Sequence, residues 1–349
     1  MKKYLFTLVA ALVSATLRYA QNTLVATLSH QDCLTMFYGS SALVSAVEAA
    51  ESGDIITLSA GQFAFADIDK GITIRGEGAG KTVIGQGTSS TKYQILIPEN
   101  DANRLCMEGL TIDTYYGAGS KTVYIYGNTS NLYFIKCVIS NNPISFGSSS
   151  SVNATFVDCN IKGLALNGSS YTKFSNCIVS RFSNVSGTTS KADFFNCIIY
   201  AEDSYPSNKY YRASFVNSFL FYNTLYSGTL PSETVAMNSM FIQGHFNGVN
   251  GAIDCLSLKQ SDVKDIFINY SSYTDQYGIV HYTPVLNSQL TDEAKTLYLG
   301  TDGKEVGIYG GQYPYDLTPS YPIITKMNVA KQATADNKLS VEIEVSAVE

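Results

Sequence analysis

The middle of the chain repeats one pattern of hydrophobic and polar positions roughly every 21 residues. Successive copies are 22, 18, 20, 21 and 21 residues apart, measured at a shared Cys or Ser, and LCMEGLTID (105–113) is a weaker, earlier copy. A regular period of this length predicts a solenoid built from one stacked unit. The six segments that align without gaps are LYFIKCVIS (132–140), ATFVDCNIK (154–162), TKFSNCIVS (172–180), ADFFNCIIY (192–200), ASFVNSFLF (213–221) and TVAMNSMFI (234–242).

Two hydrophobic columns within the repeat indicate the shape of the unit. Three residues before the shared Cys or Ser the copies carry Phe, with Ala in the last, and two residues after it they carry Ile, Val, Leu or Phe. In a straight strand, positions an odd number of residues apart face opposite sides. Because both columns are apolar, both are expected to face the core, so the chain must bend between them. Strand, two-residue bend and strand predict one coil of a parallel β-helix.

The residue before the shared Cys or Ser supports this bend. It is Asn or Asp in every copy but the first, which has Lys136. Asn tolerates left-handed backbone geometry, and stacked Asn side chains are expected to bond one another along the solenoid axis. With these F-x-N-C-x-I coils, the sequence resembles the pectate-lyase-like superfamily of single-stranded right-handed β-helices over residues 40–310. The resemblance implies an all-β, right-handed parallel β-helix, the pectin lyase-like fold, and leaves function open.

The two ends of the solenoid have patterns of their own. An amphipathic helix is predicted over 41–50, with Leu43, Val44 and Val47 on one face, followed by strands IITLS (55–59) and GITIR (71–75). An N-terminal helix that plugs the first coil is also what the resemblance implies. Glycines in 300–314 predict tight turns, and KLSVEIEV (338–345) alternates as a strand that should pair with 323–330. The predicted division is a capped β-helix over 21–315 and a C-terminal strand tail over 316–349, either an edge cap or an attachment module.

The first 20 residues have the pattern of an export signal. Lys2 and Lys3 precede an apolar stretch, Tyr4 to Leu17, that is too short to span a bilayer. Cleavage is expected after Ala20, with Ala15 as the alternative site and a retained anchor as the alternative to cleavage. The sequence therefore predicts an exported protein that is periplasmic, on the cell surface or extracellular, with no membrane span.

Composition narrows the choice of partners. Charged residues are only 15% of the chain, the net charge is −6, and Lys and Arg form no cluster. Binding to nucleic acid needs a basic footprint, so no nucleic-acid partner is predicted. The oligomeric state is left open. Frequent Tyr, 25 in all, offers rings that stack on sugars, although ordinary half-buried packing is the alternative role for them.

Of the seven cysteines, the four in the repeats are interpreted as buried free thiols rather than as a disulfide framework. Cys137, Cys159, Cys177 and Cys197 should stack about 4.8 Å apart with parallel Cα–Cβ bonds, whereas a disulfide needs converging ones. Pairing of Cys33 with Cys106 or Cys255 stays open. No C-x-x-C occurs and the chain has three His, so neither a metal site nor any other cofactor is predicted.

Three functions are compatible with these patterns. Enzymes of the superfamily are lyases with a basic residue beside Ca²⁺, or hydrolases with clustered carboxylates, and neither arrangement is evident in the repeats. The leading hypothesis is a polysaccharide-contacting exported protein without confirmed catalytic machinery. The alternatives are a lyase or glycoside hydrolase with an atypical site, and a structural or adhesive surface protein.

Two regions are candidate sites. Lys173 and Asp193 lie four residues before the shared Cys in successive copies, so they should be outward-facing neighbours, either a surface ion pair or part of a site. No catalytic residue is assigned. The loop 201–212 interrupts the repeats with both charge signs and three Tyr, and it is the predicted binding region. Its predicted binding residues are Tyr205, Lys209, Tyr210, Tyr211 and Arg212.

Overall fold

The structure is a computed structural model of a parallel β-helix. The predicted signal segment 1–20 lies outside the residues that it describes. The described residues are 24–86, 93–98, 101–113, 115–116, 119–120, 123–140, 144–147, 152–166, 170–180, 182–184, 189–201, 212–222, 228–229, 233–242, 244–245, 251–274, 280–284, 289–329 and 341–346.

Three sheets form the sides of the solenoid, and we call them sheets A, B and C. From Ile55 onward, the strands of sheet A pair in parallel with those of the next coil, and so do the strands of sheets B and C. Sheet A has the strands Cys33–Tyr38, Val25–His30, Ile55–Leu58, Thr73–Arg75, Leu105–Glu108, Leu132–Ile135, Asn153–Val157, Tyr171–Ser175, Lys191–Phe195, Ala213–Val216, Val235–Met237 and Ala252–Ile253, in spatial order. Sheet B has Gly61–Ala64, Thr82–Gln86, Thr111–Asp113, Val138–Ser140, Asn160–Ile161, Ile178–Val179, Ile198–Ala201, Phe219–Tyr222, Met240–Ile242 and Leu256–Leu258. Sheet C has Tyr93–Ile95, Val123–Ile125, Ile144–Phe146, Leu164–Leu166 and Phe182–Asn184.

Smaller elements complete the described chain. Four pairs of strands lie outside the three sheets, namely Tyr115–Tyr116 with Gly119–Ser120, Gly228–Thr229 with Gly244–His245, Tyr270–Thr274 with Val280–Pro284, and Ile323–Val329 with Val341–Ser346. The helices are α1 (Ala42–Ala49), a 3-10 turn (Gln260–Asp262), α2 (Val263–Ile266) and α3 (Asp292–Leu297). Among the described residues, none of the helices is long and apolar enough to cross a bilayer.

The predicted coil geometry is confirmed, and each of the middle coils has a third side, sheet C, that was not predicted. The Phe column and the aliphatic column are both buried, and the residue between them has φ between 45° and 53° in seven consecutive coils, from Lys136 to Asp254. This left-handed residue turns the chain from sheet A into sheet B, and Asn tolerates that conformation better than most residues. The repeat alone indicated two strands in each coil. Sheet C is the third side, formed by strands of three residues.

The predicted terminal elements are also observed. Helix α1 buries Leu43 and Val47 against the first coil, within one residue of the predicted bounds. The strand Val341–Ser346 pairs antiparallel with Ile323–Val329, as the alternation in 338–345 predicted. The division of the chain at 315/316 stays a prediction.

A second hydrophobic core lies outside the solenoid. The outer face of sheet B is apolar in the later coils, where Ile198, Phe219 and Met240 point away from the inner core. Described residues between 260 and 321 cover this face, and Phe267 packs against Phe219 with ring centroids 5.2 Å apart. Tyr200 also belongs to this core and is only 9% exposed, so its ring is not available to a ligand.

The last part of this cover, residues 298–321, runs back along the bends of the solenoid, and we call it the strap. Asn238 Nδ2 donates to the carbonyl of Leu299, Asn217 Nδ2 donates to Thr301, and Asn176 Nδ2 donates to the carbonyls of Ile308 and Gly310. The Asn column therefore holds the strap, and the expectation that these side chains bond one another was wrong for them. In the strap, Gly307 has φ +93°, and a Cβ there would lie 3.1 Å from the Phe219 ring.

A charged cluster ties the strap to the middle coils. Lys136 Nζ lies 3.3 Å from Asp316 Oδ2 in the strap and 4.0 Å from Asp158 Oδ2 in the next bend. Asp158 is only 5% exposed, and burial raises the pKa of its carboxyl to about 7, against the opposing effect of the Lys136 charge. Asp158 therefore binds its proton more tightly in the folded protein than in the unfolded chain.

Asp158→Asn is expected to stabilise the protein at alkaline pH. Because the pKa is raised on folding, ionisation of Asp158 lowers the free energy of unfolding between about pH 4 and about pH 7, and the loss persists above that range. Asn suits the bend, as it does at position 176, and has no charge to desolvate. Denaturant unfolding of parent and variant should show a gain of about 1–3 kcal/mol at about pH 8 and little difference at about pH 4. Equal stabilities at both pH values would contradict the buried, ionising carboxylate.

Candidate functional site

The candidate site is a groove on the outer face of sheet A, in the middle coils. Along each strand, residues alternate between the core and the surface, so Phe134, Phe156 and Phe174 point inward while their neighbours point outward. The groove has a volume of about 140 Å³. We call it the outer groove, and it is lined by Asn131, Leu132, Tyr133, Asn153, Ala154, Thr155, Tyr171 and Lys173.

The coil register sets these side chains in two rows. In one row Tyr133 pairs with Thr155, Thr155 with Lys173, and Lys173 with Asp193. In the other row Asn153 pairs with Tyr171, and Tyr171 with Lys191. The prediction that Lys173 and Asp193 are outward-facing neighbours is therefore confirmed. The rows repeat at the spacing of the coils, about 4.8 Å, so the surface presents a periodic array.

Tyr171 connects the two charged residues. Its hydroxyl donates a hydrogen bond to Asp193 Oδ2, and Lys173 Nζ lies 5.3 Å from the centre of its ring. Burial and the Asp193 carboxylate together raise the pKa of Tyr171 to about 12, because ionisation would place a second negative charge beside the first. Tyr171 is therefore a neutral hydrogen-bond donor at physiological pH, and Asp193 holds its ring in place.

A second pair of a cation and an aromatic ring lies at the other end of the outer groove. The guanidinium carbon of Arg104 lies 5.0 Å from the ring centre of Tyr133. Each groove tyrosine thus has a cation within the distance at which a positive charge is attracted to a ring face. Amide groups of Asn131 and Asn153 add hydrogen-bonding capacity between the two rings.

Of the predicted binding loop 201–212, the structure describes the first residue, Ala201, and the last, Arg212. Tyr205, Lys209, Tyr210 and Tyr211 lie outside the described residues. Arg212 is exposed, with φ +52°, and immediately precedes Ala213, the register partner of Ala192. Arg212 therefore immediately precedes the sheet A strand that pairs with Lys191–Phe195.

The two tyrosine rings of the outer groove and the cation beside one of them were missed in the sequence. Tyr133 and Tyr171 stand within or beside the repeat segments, at the same outward positions as Lys173 and Lys191, and the register applied to Lys173 would have found them. Arg104 precedes the weaker first copy, and its contact with Tyr133 crosses 29 residues of sequence, so no local pattern indicated it.

The cysteines predicted to be free are confirmed, and Cys255 continues the column of shared Cys and Ser by one coil. Cys33 is exposed and Cys106 is buried, and neither is disulfide-bonded. Cys255 follows Asp254, which has φ +51°, and Leu256 N donates to the carbonyl of Ser239, so Cys255 is the last described member of the column of shared Cys and Ser. Within the described ranges, no group of three His, Cys, Asp or Glu side chains is arranged to bind a metal ion.

The parallel strand pairings of sheets A, B and C decide the fold class. The chain is a parallel β-helix protein. No protein-family model and no curated protein matches the sequence. Among solved structures, a mutant of the PL6 family alginate lyase AlyGC matches with 12% identity and a TM-score of 0.31, over 78% of this chain and 58% of that enzyme. The chain thus spans less than two thirds of the length of the enzyme that it matches.

Proposed function

We propose that this protein is an exported β-helix protein of the pectate-lyase-like superfamily that binds a polysaccharide along the outer groove. The observation that carries the proposal is the pair of outward tyrosines, Tyr133 and Tyr171, each with a cation near its ring. Tyrosine rings pack on the C–H faces of sugars, and the neighbouring amides and hydroxyl groups supply hydrogen bonds to sugar hydroxyls.

The shape of the site favours a polymer over a small metabolite. Pockets for small molecules commonly enclose about 300–1,000 Å³, whereas the outer groove is open and has a volume of about 140 Å³. Its rows continue along the sheet past Lys173 to Asp193 and Lys191, so successive units of one chain would meet successive coils. A repeating ligand fits a repeating surface.

Charge favours an acidic glycan. Arg104, Lys173 and Lys191 lie along this face, and the carboxylate of Asp193 already accepts the Tyr171 hydroxyl. Uronate or sulfate groups would pair with these cations, and salt would weaken the binding. The loop residues Tyr205, Lys209, Tyr210 and Tyr211 are proposed to extend this surface beyond Arg212.

Export is part of the proposal. The apolar stretch after Lys2 and Lys3 is proposed to be a signal peptide that ends at Ala20. The mature chain is then periplasmic, on the cell surface or extracellular, where polysaccharides are abundant. Mass spectrometry of the protein recovered from cell fractions would give the mature N-terminus and the compartment in one measurement.

The test is a screen of acidic and neutral glycans against the purified protein. Binding and the appearance of unsaturated or reducing ends are measured together. Binding without new ends supports the proposal, whereas new ends would establish the alternative, a lyase or hydrolase. Absence of both across the screen would overturn glycan binding and leave the structural or adhesive role.

Tyr171→Ala is expected to weaken each glycan hit about tenfold, because it removes the ring and also releases Lys173 and Asp193 from their present positions. The matched control is Tyr124→Ala, which removes a half-buried ring of sheet C outside the outer groove. Isothermal titration of both variants and the parent measures the effect. Equal affinity in Tyr171→Ala and the parent would place the ligand elsewhere.

The predicted loop is tested separately with the double variant Tyr210→Ala and Tyr211→Ala. We expect a smaller loss of affinity than for Tyr171→Ala, because these residues are proposed to extend the surface rather than to form its centre. If the double variant binds every hit as tightly as the parent, the loop is not part of the site.

A further inference from the structure

The N-terminal edge of sheet A is a six-residue strand, Cys33–Tyr38, whose one neighbour among the described residues is Val25–His30. Gly39 N donates to the carbonyl of Leu24, which identifies the hydrogen-bonded pairs of this antiparallel ladder. Since such pairs alternate, Phe37 and Thr35 bond to the neighbouring strand, while the N–H and C=O groups of Leu34, Met36 and Tyr38 point away from it. The edge therefore presents three donor and acceptor pairs in a row.

The side chains on this edge are apolar and exposed. Leu34, Met36 and Tyr38 share the outer face and are 68%, 55% and 63% exposed. Natural proteins protect edge strands with Lys, Pro, bulges or a covering segment. The segment CLTMFY contains no charged residue and no Pro, and its ladder has no register shift. A strand whose outward backbone groups have no partner among the described residues, with a regular register and three large apolar side chains, is suited to pair with another strand.

We propose that two copies of this chain form a dimer by pairing Cys33–Tyr38 antiparallel with itself, around a two-fold axis at Met36. In this register Met36 faces Met36 of the second copy, and Leu34 faces Tyr38. Both contacts join outer-face residues, because residues directly opposite in a ladder share a face. The outward N–H and C=O groups of Leu34, Met36 and Tyr38 meet their counterparts, and sheet A continues from one copy into the other.

The observations favour this partner over stacking of one solenoid end on the other. The far end of sheet A is Ala252–Ile253, a strand of two residues followed by Asp254. It would pair with fewer than half of the outward groups on Cys33–Tyr38. The edge strand matches itself in length and apolar character, and no like charges meet across the proposed axis. An isologous contact of this kind also closes, so it yields a dimer rather than a filament.

Analytical ultracentrifugation of the purified chain over a range of concentrations is the first test. The parent is expected to form a dimer. Met36→Lys places two ammonium groups opposite each other at the axis and is expected to abolish the dimer at concentrations where the parent is fully dimeric. The matched control is Thr27→Lys, on the outer face of the adjacent strand and opposite Met36, which should leave the dimer intact. A parent that stays monomeric, or assembles into species larger than a dimer, would overturn the proposal.

Cross-linking tests the register itself. In a Cys33→Ser background, Met36→Cys places two thiols in a hydrogen-bonded pair, with Cα atoms about 5.5 Å apart, within the range that a disulfide bridges. Mild oxidation should give a covalent dimer linked through position 36, identified by mass spectrometry. Thr27→Cys in the same background should remain a single chain. A dimer without the 36–36 link would show that the copies meet elsewhere and would overturn the proposed axis.

Discussion

Replacing Phe174 by Ala is expected to lower the free energy of unfolding by about 3–5 kcal/mol, among the largest effects of a single substitution in this chain. The ring is fully buried and stacks between Phe156 and Phe194, with centroids 5.2 Å and 4.5 Å away and planes within 10° of parallel. Neighbouring coils are fixed by their ladders on both sides, so they cannot close the cavity. Urea unfolding followed by circular dichroism measures the loss.

Phe195→Ala is the matched control for this substitution. Phe195 is the outward neighbour of Phe194 and is 39% exposed, so its loss should cost less than about 1 kcal/mol. Comparable losses in the two variants would contradict the inward Phe column. The comparison also separates cavity formation from a general effect of removing an aromatic residue from sheet A.

The coil was predictable because the information lies within one repeat. The Phe, the Asn and the shared Cys recur in a segment of nine residues, and stacking one copy on the next is the way to bury both apolar columns. The left-handed bend followed from Asn and from the odd spacing between the columns. Sheet C could not be read in this way, since its strands are three residues long and join segments of variable length.

The strap and its core were missed because their contacts are remote in sequence. Asn176 bonds to Ile308 across 132 residues, and no pattern near either residue reveals the other. One local signal was present. Segments such as Phe219–Tyr222 and Met240–Ile242 are apolar at nearly every position, and such strands are buried on both faces. These segments therefore predict that another part of the chain covers the outer face of sheet B, and that Tyr200 belongs to the core.

The candidate site was predictable in part for the same reason. Register alone placed Lys173 beside Asp193, and the same register aligns Tyr171 with Lys191. What register cannot supply is the direction of a long side chain. Tyr171 reaches diagonally to Asp193, and its ring lies near Lys173, so an expected pair of charges is in fact a group of three residues joined by the tyrosine.

Thiol labelling of the native protein is expected to modify Cys33 rapidly and the four fully buried column cysteines hardly at all. Cys33 is exposed, whereas Cys137, Cys159, Cys177 and Cys197 are fully buried. Burial raises the pKa of the Cys137, Cys159 and Cys177 thiols well above the ordinary value, so the reactive thiolate is scarce as well as inaccessible. Timed labelling followed by mass spectrometry should show Cys33 modified first and these four buried cysteines unmodified in buffer, and seven sites modified in denaturant.

The variant Cys33→Ser provides the control, because it should remove the fast phase in buffer and leave the number of slow sites unchanged. The slow phase should then follow unfolding, since the column thiols donate to carbonyls of their own and neighbouring coils, as Cys159 Sγ does to Val157 and Phe134. Each of these thiols is thus held on backbone carbonyls, and none is disulfide-bonded. A disulfide between Cys159 and Cys177, or column labelling as fast as that of Cys33, would contradict the buried thiol column while leaving the Phe column to be judged by its own test.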